Sequence, residues 1–303
     1  MDKPTILLSI CIPTFKRGVI LEKTLESIYS QLDITNIDKV EVIVTDNDPE
    51  HENEMHISRF KKHNNFNYHK NNSIGFLNSL EALKMGKGAL LKLQNVQFKF
   101  KPGSVNQILN IIESNMKLKP VIYFSNGVLN FNKVKKTQIF DQFIYFLSYQ
   151  CSWSVGFSLW QVDRKILELD NLNSTFPQTS LLFALNKKEN YCIDDNDYLL
   201  GQFVKGKGGY NVFKVFGSDF LDMIKTYANN DVIKINTFER IRKDLSSYYF
   251  PKIILKNIIF KVENFETKNC IKYLDKYYSR ISIFKMFISS FLTLKTYFKK
   301  KNK

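Results

Sequence analysis

Cysteine is scarce in this sequence, and its few cysteines are spread singly along the chain. The four of them form no CxxC pair and show no Cys/His spacing typical of a zinc site: Cys11, Cys151, Cys192 and Cys270. Isolated cysteines of this kind predict free thiols in a reducing compartment, without a structural zinc.

Long apolar runs are also missing. The longest uncharged apolar-rich stretch, Met286–Leu294, is about half of what a bilayer-spanning helix needs. Met1–Pro4 leads into a predicted strand, and not into the apolar region of a secretory signal. We therefore expect a cytoplasmic protein that does not span the membrane.

Acidic residues are few relative to basic ones. The chain has 44 Lys and Arg against 29 Asp and Glu, a formal net charge of +15. Residues 251–303 alone contain thirteen basic and three acidic residues. This excess predicts an anionic partner, either lipid headgroups or nucleic acid.

Residues 5–126 read as alternating strands and helices. The predicted strands are Ile6–Ile12, Val40–Thr45, Phe66–His69, Ala89–Leu93 and Val121–Phe124. The predicted helices between them are Leu21–Gln31, Glu54–His63, Leu77–Met85 and Ser104–Asn115. This alternation predicts an α/β fold with a mostly parallel sheet and helices on both faces.

Polar residues follow the first two predicted strands. Pro13-Thr14 leads into the basic pair Lys16-Arg17, and Asp46-Asn47-Asp48 ends the second strand. Open α/β sheets bind nucleotides in the crevice beyond their strand ends. The spacing therefore indicates a nucleotide site at this edge of the sheet.

These residues resemble the motifs of family 2 glycosyltransferases with the GT-A fold. In that family the first strand ends in Pro-Thr-(Tyr/Phe)-Asn-Arg, here Pro13–Arg17, and the second ends in an acidic pair, here Asp46 and Asp48. The resemblance continues through Asn72–Asn78 and Gly88–Ser104.

The resemblance also divides the chain. It implies a GT-A, Rossmann-like domain over residues 1–220, with a nucleotide-binding half over 1–126 and an acceptor half over 127–220. Residues 221–303 are expected to form a helical, basic C-terminal extension.

The resemblance implies a nucleotide-sugar donor, expected to be a UDP-sugar, and a set of residues that contact it. Thr14 and Arg17 are expected to contact the donor from their loop, and Asp46 to hold the nucleobase or ribose. Ordinary turn chemistry is the alternative explanation for both loops. For the acidic loop we favour the nucleotide role, whereas for the Asn72–Asn78 segment the two explanations fit equally well. The full set expected at the donor is Pro13, Thr14, Arg17, Asp46, Asp48, Asn72, Gly75, Asn78, Gln94 and Asn95.

The sequence departs from the family at the usual metal motif. The resemblance implies Mg²⁺ or Mn²⁺ on an acidic cluster, but Gln94-Asn95-Val96-Gln97 occupies that place, with Asn95 and Gln97 at the usual acidic positions. Three alternatives stay open. A metal binds weakly through Asn95 and a flanking glutamine, or Lys92, Lys99 or Arg17 neutralises the phosphates, or the protein does not catalyse.

The expected general base is replaced as well. Gln178 stands where the family carries its catalytic Asp, and an amide cannot accept a proton at any relevant pH. The carboxylates that come into question instead are Asp163, Asp194, Asp195 and Asp197.

The C-terminal segment 281–298 places apolar residues at three- and four-residue steps, with lysines beside and after them. This pattern is typical of a basic amphipathic helix at a membrane surface, although a helix packed on the domain with a solvated lysine tail fits too.

Three functions follow. The first is an inverting glycosyltransferase that moves a monosaccharide to a lipid-linked glycan at the inner face of a bacterial membrane, for capsule, O-antigen or a similar surface polysaccharide. The alternative is a catalytically impaired GT-A-like scaffold subunit of a polysaccharide assembly complex. Nucleic-acid binding ranks last, because the positive charge lies in a terminal amphipathic helix and not in an aromatic-lined groove.

Overall fold

The computed structural model describes residues 6–50, 52–131, 133–204 and 206–292. The expectations for Met1–Pro4 and for the lysines after residue 292 lie outside this range. The strands are β1 (Leu8–Thr14), β2 (Val40–Asp46), β3 (Phe66–Lys70), β4 (Leu90–Leu93), β5 (Phe98–Phe100), β6 (Val121–Phe124), β7 (Val134–Thr137), β8 (Ser158–Trp160), β9 (Tyr191–Asp194), β10 (Leu199–Gly201), β11 (Gly208–Asn211) and β12 (Asn264–Glu266).

The helices alternate with the strands at first and dominate later. They are α1 (Gly18–Tyr29), α2 (Glu54–Ile57), α3 (Asn78–Met85), α4 (Ser104–Asn115), α5 (Phe140–Leu147), α6 (Pro177–Ala184), α7 (Val212–Lys214), α8 (Phe220–Asn229), α9 (Ile235–Asp244), α10 (Phe250–Ile253), α11 (Cys270–Leu274) and α12 (Arg280–Leu292). None of the helices among the described residues combines the length and the apolar character needed to cross a membrane.

The central sheet has the strand order β3-β2-β1-β4-β8. The first four strands are parallel, with Thr14 opposite Asp46 where β1 and β2 end. Strand β8 runs antiparallel to β4. The predicted mostly parallel sheet is therefore confirmed, and the carboxyl ends of β1 to β4 lie along one edge.

Both faces of this sheet are covered by helices. Side chains alternate between the faces of a strand, and Leu8, Ile10 and Ile12 of β1 join the core formed with α1 and α4. Helix α3 packs against β1, β2 and β4, and its buried Leu83 lies outside that core. All seven residues of β2 are buried, as a two-sided cover requires.

The chain divides into two compact units, residues 1–143 with 150–203, and residues 144–149 with 204–303. The first also contains the sheet β6-β9-β7 and the antiparallel pair β5-β10. The second is mainly helical, which confirms the helical C-terminal part, and β12 interrupts it to pair with β11. The predicted domain boundaries, at residues 126 and 220, stay predictions.

A glycine before β4, Gly88, allows the backbone there to pass close to β1. Gly88 N donates hydrogen bonds to Ser9 Oγ (2.8 Å) and Glu41 Oε1 (3.1 Å), and a Cβ on Gly88 would lie 2.7 Å from the backbone nitrogen of Ser9. We predict that Gly88→Ala lowers the free energy of unfolding by about 2 kcal/mol, measured by urea denaturation.

Gly201→Ala is the matched control for this prediction. The nearest atom to its new Cβ is a ring carbon of Phe98 at 3.8 Å, an ordinary contact distance. We expect a change within about 0.5 kcal/mol, and equal effects of the two substitutions would contradict the steric explanation.

Candidate functional site

The candidate site lies where the parallel strands β1 to β4 end. We call residues 13–17, 46–48, 71–78 and 94–97 the carboxyl edge, because these segments follow β1, β2, β3 and β4. Strand order alone brings them together, since parallel neighbours end on the same side of a sheet.

Asn78, the first residue of α3, ties this edge together from beneath. Its buried amide nitrogen donates to the backbone oxygens of Thr14 (3.1 Å) and Thr45 (3.0 Å), and its side-chain oxygen accepts from Asn71 Nδ2 (2.8 Å). The Asn78 side chain thus links the ends of β1 and β2 to the loop after β3. These contacts give Asn78 a structural role.

Asp46 is the centre of a second buried network. Its Oδ2 accepts hydrogen bonds from Tyr68 Oη (2.8 Å) and Asn53 Nδ2 (3.0 Å), and its Oδ1 accepts from the backbone nitrogen of Asp48 (3.0 Å). The side chain is fully buried. Burial, together with this bond to the carboxylate, raises the pKa of the Tyr68 hydroxyl.

The acidic loop after β2 is closed by a cation from the loop after β1. The Asp48 carboxylate accepts from the backbone nitrogens of Glu50 (3.2 Å) and Glu52 (3.3 Å), and Lys16 Nζ lies 2.6 Å from Glu50 Oε2. The hydrogen bond with Glu50 raises the pKa of Lys16. Asn53 Oδ1 accepts from the backbone nitrogen of Arg17 (2.9 Å), which fixes the start of α1.

The loop after β3 is the exposed part of the edge. Asn72, Ile74 and Gly75 are exposed, and Gly75 has a φ of +57° in open space. Pro13 and Arg17 are half-buried at the other side of the edge.

The segment at the family's metal position is a turn held by its own amides. Gln94 Nε2 donates to the backbone oxygens of Phe98 (2.8 Å) and Asn95 (3.2 Å), and Asn95 Oδ1 accepts from the backbone nitrogen of Gln97 (2.9 Å). Gln202 Nε2 donates to the backbone oxygen of Val96 (3.0 Å). Most polar atoms of this turn are therefore already engaged.

Two buried oxygen atoms at the carboxyl edge are not engaged in hydrogen bonds within the described chain. Among the described residues, Thr14 Oγ1 and Gln94 Oε1 lack a hydrogen-bond partner, although both side chains are almost fully buried. Thr14 ends β1, and Gln94 directly follows β4, the strand beside it. Buried polar atoms are rarely left unpaired in native proteins, so these two call for an explanation.

The residues present do not fit a carboxylate-held divalent cation. Within the described part of the chain, no group of three or more His, Cys, Asp or Glu side chains is placed to share a metal ion. The amide oxygen of Asn95 is bonded to Gln97, and the carboxylate of Asp46 takes three protein donors. Neutral amides alone ligate hard cations weakly.

Lys92 is not placed where it could neutralise phosphate groups. It is buried within β4, and its Nζ donates to the backbone oxygens of Val155 (2.9 Å) and Leu93 (3.2 Å). Burial lowers the pKa of Lys92 to about 7, because desolvation disfavours the charged amine. That alternative is wrong for Lys92, and Lys99, half-buried on β5, and Arg17 remain.

The residues considered for proton transfer all have structural partners. Gln178 is buried on α6 and donates to the backbone oxygen of Ser152 (2.7 Å), while both oxygens of Asp163 lie within 3.0 Å of Lys188 Nζ. The carboxylates near β9 have side-chain partners as well: Asp194 is bonded to Tyr198 and Asn196, Asp195 to Ser125, and Asp197 to Lys101.

Three residues that shape this edge have no local signal in the sequence. Tyr68 and Asn53 hold Asp46 from β3 and from the turn before α2, and Gln202 reaches the turn at Val96 from far along the chain. Only the register of β2 with β3, which places Val44 opposite Tyr68, would have predicted the first of these.

Comparison with known proteins defines the fold. No family model matches the sequence, and no curated protein matches it. Among solved structures, TarS residues 1–349 from S. aureus in complex with UDP-GlcNAc superimposes with a TM-score of 0.55 at 15% identity, covering 84% of this chain and 81% of that one.

A second match comes from another kind of organism. The mannosyltransferase PcManGT from Pyrobaculum calidifontis, in complex with GDP-Man and Mn²⁺, matches with a TM-score of 0.52 at 12% identity, covering 95% of this chain and 80% of that one. Of a longer TarS structure, this chain covers 55%, with a TM-score of 0.51 at 13% identity. The chain therefore has a glycosyltransferase-like α/β fold.

The burial of Lys92 makes stability depend on pH. Its pKa is about 7 in the folded protein and 10.5 without burial, so unfolding takes up a proton between these values and stability rises with pH across this window. We predict that, from roughly pH 9.5 to pH 7, wild type loses about 3 kcal/mol of unfolding free energy relative to Lys92→Met.

Urea denaturation at several pH values measures this difference. Lys62→Met, at an exposed position, should follow the pH dependence of the wild type. Parallel pH curves for wild type and Lys92→Met would show that the buried amine does not titrate in this range.

Proposed function

We propose that this protein is a nucleotide-sugar-dependent glycosyltransferase whose donor binds at the carboxyl edge. The observation that carries the proposal is the pair of unpartnered buried oxygens, Thr14 Oγ1 and Gln94 Oε1, at the ends of two neighbouring strands. In a fold shared with structures that hold UDP-GlcNAc and GDP-Man, a bound donor would supply the missing partners.

The two side chains are suited to different donor groups. The Gln94 oxygen accepts a hydrogen bond from a ribose or sugar hydroxyl, and the Thr14 hydroxyl donates to a phosphate or base oxygen. Because both atoms are buried, donor entry requires the side chains that cover them to move. Asp46 and Asp48 then hold the nucleoside side of the pocket, with Pro13, Arg17, Asn72, Gly75 and Asn78 around it and Asn95 beside Gln94.

We assign neutralisation of the leaving diphosphate to Arg17 and Lys99, without a metal ion. Positive side chains stabilise charge that develops in a transition state when they are fixed in advance. We propose a UDP-sugar as donor and a lipid-linked glycan as acceptor, with inversion at the sugar, in bacterial surface polysaccharide synthesis at the inner face of the membrane. The TarS structure in complex with UDP-GlcNAc supports the choice of donor, and the basic C-terminal part supports the membrane surface.

A catalytically impaired scaffold is the second candidate. One observation favours it: the base position holds the amide of Gln178, and Asp163 is paired through both oxygens with Lys188. The Lys188 ammonium therefore occupies both oxygens that would have to receive the proton. The scaffold would bind the donor at the same edge without turning it over.

Thr14→Val tests the donor site with little risk to folding. The substitution removes an unpartnered buried hydroxyl at nearly constant volume, so we expect an unchanged or higher melting temperature. Loss of one hydrogen bond to the donor should weaken UDP binding about tenfold in isothermal titration calorimetry.

The control uses a third unpartnered oxygen. Gln161 Oε1 is also buried without a partner among the described residues, but Gln161 follows β8, which runs antiparallel to β4, at the opposite edge of the sheet. Gln161→Met should leave UDP affinity unchanged. If Thr14→Val binds UDP as tightly as the wild type, the carboxyl edge is not the donor site.

Metal dependence gives a separate prediction. Because no carboxylate cluster fits a divalent cation in the described residues, we expect EDTA to change the rate of UDP release from a UDP-sugar by less than about twofold. A loss of turnover in EDTA that Mn²⁺ restores would contradict this. UDP-sugar binding without turnover, whatever the metal or acceptor, would decide for the scaffold.

A further inference from the structure

Helix α12 exposes an apolar stripe. The helix buries Ile283 and Met286 within its own unit, while Ile281 and Phe284 are 69% and 66% exposed. The exposed apolar side chains recur at three- and four-residue steps, which places them on one face of the helix: Ile281, Phe284, Ile288, Phe291 and Leu292. A continuous apolar surface of this kind marks an interaction site.

The charge beside the stripe is positive. Helix α12 contains Arg280 and Lys285 and no acidic residue, and Lys285 is exposed. The sequence of residues 293–303 adds five lysines and no acidic residue. An apolar face flanked by basic residues is complementary to an anionic lipid surface.

A cavity of about 640 Å³ lies beside the same helix. Ser282 of α12 and the preceding Tyr278 line one side, and the end of α9 with the turn after it lines the other. We call it the basic cavity. Its lining residues are Tyr145, Glu239, Arg240, Arg242, Lys243, Asp244, Ser246, Tyr248, Tyr278 and Ser282.

The basic cavity contains more hydrogen-bond donors than its two carboxylates, Glu239 and Asp244, engage. Arg242 is paired with Glu239 and donates to the backbone oxygen of Tyr277 (2.9 Å). The Arg240 guanidinium lies 4.4 Å from the Tyr145 ring centre, with its Nε 3.5 Å from Asp244 Oδ2.

Two further donors of the basic cavity are exposed. Lys243 forms no ion pair within the described residues, and Tyr248 is 58% exposed. Guanidinium and ammonium groups with free N–H bonds bind phosphate oxygens.

We propose that the basic cavity binds the phosphate of an anionic lipid headgroup while the α12 stripe lies against the acyl chains. An amphipathic helix in a membrane interface places its polar flank at the depth of the headgroups. Ser282 belongs to that flank and also lines the cavity, so one orientation of this unit satisfies both surfaces. The inference does not depend on the donor site.

The apolar stripe of α12 indicates which kind of molecule carries the phosphate. A free phosphate ion would need the basic cavity alone and would leave the apolar side chains of α12 in water. A lipid occupies both surfaces at once. The occupant is therefore an anionic phospholipid, and a soluble phosphate ester is the alternative that the experiment excludes.

Vesicle flotation with the full chain tests the proposal. We expect binding to phosphatidylcholine vesicles that contain phosphatidylglycerol, and little binding to phosphatidylcholine alone. Arg240→Gln with Lys243→Gln should weaken binding about twentyfold, because each basic residue at a lipid surface contributes roughly a fivefold effect. The matched pair Lys268→Gln with Lys272→Gln removes the same charge outside the cavity and should change binding by less than about twofold.

The apolar stripe has its own matched pair. Phe284→Ser with Ile288→Ser should abolish flotation, whereas Ile235→Ser with Val262→Ser, at exposed positions outside α12, should not. Melting temperatures check that every variant folds. Equal losses in the two charge pairs, or equal binding to both kinds of vesicle, would overturn the proposal. Saturable binding of glycerol phosphate without any vesicle binding would also overturn it.

Discussion

The buried side chains of Asn78 and Asp46 hold the carboxyl edge of the sheet, and the candidate site depends on them. The last carbonyl groups of the parallel strands need donors beyond those of the sheet itself, and side chains supply several of them. Asn78 supplies them to Thr14 and Thr45, and Asp46 in turn collects the loop after β2 and the Tyr68 hydroxyl of β3. The side-chain oxygens of Thr14 and Gln94 differ from these groups, because they have no hydrogen-bond partner among the described residues.

This arrangement changes the role that Asp46 can have. Three protein donors already bond the Asp46 carboxylate, and its side chain is fully buried. Because no part of the carboxylate is exposed, a nucleobase can reach Asp46 only if Tyr68 or Asn53 moves away. In our proposal, recognition therefore begins at Thr14 and Gln94, and Asp46 chiefly fixes the shape of the pocket.

Much of the fold could be predicted from the sequence, because its strongest signals are local. The apolar runs of β1, β2 and β6 gave elements within about two residues of those observed. The short strands β5 and β8 carry too few residues for a pattern. Lys92 was considered as a cation for the phosphates because nothing nearby reveals that β4 is covered on both faces. The candidate site was predictable as a place, the end of β1 and β2, since topology fixes it. Its hydrogen bonds join residues from distant parts of the chain, such as Val96 with Gln202, and no spacing predicts those.

The excess of positive charge affects both proposed sites in the same way, because it attracts anions to each of them. A nucleoside diphosphate and a lipid phosphate are both anions, and a chain with a formal charge of +15 attracts each of them before any specific contact forms. Attraction of this kind does not distinguish the two ligands, so specificity has to come from what surrounds the phosphate. At the carboxyl edge, in our proposal, buried amide and hydroxyl groups bond the sugar and the base. At the basic cavity, the apolar stripe of α12 favours a ligand with hydrocarbon chains over a free phosphate.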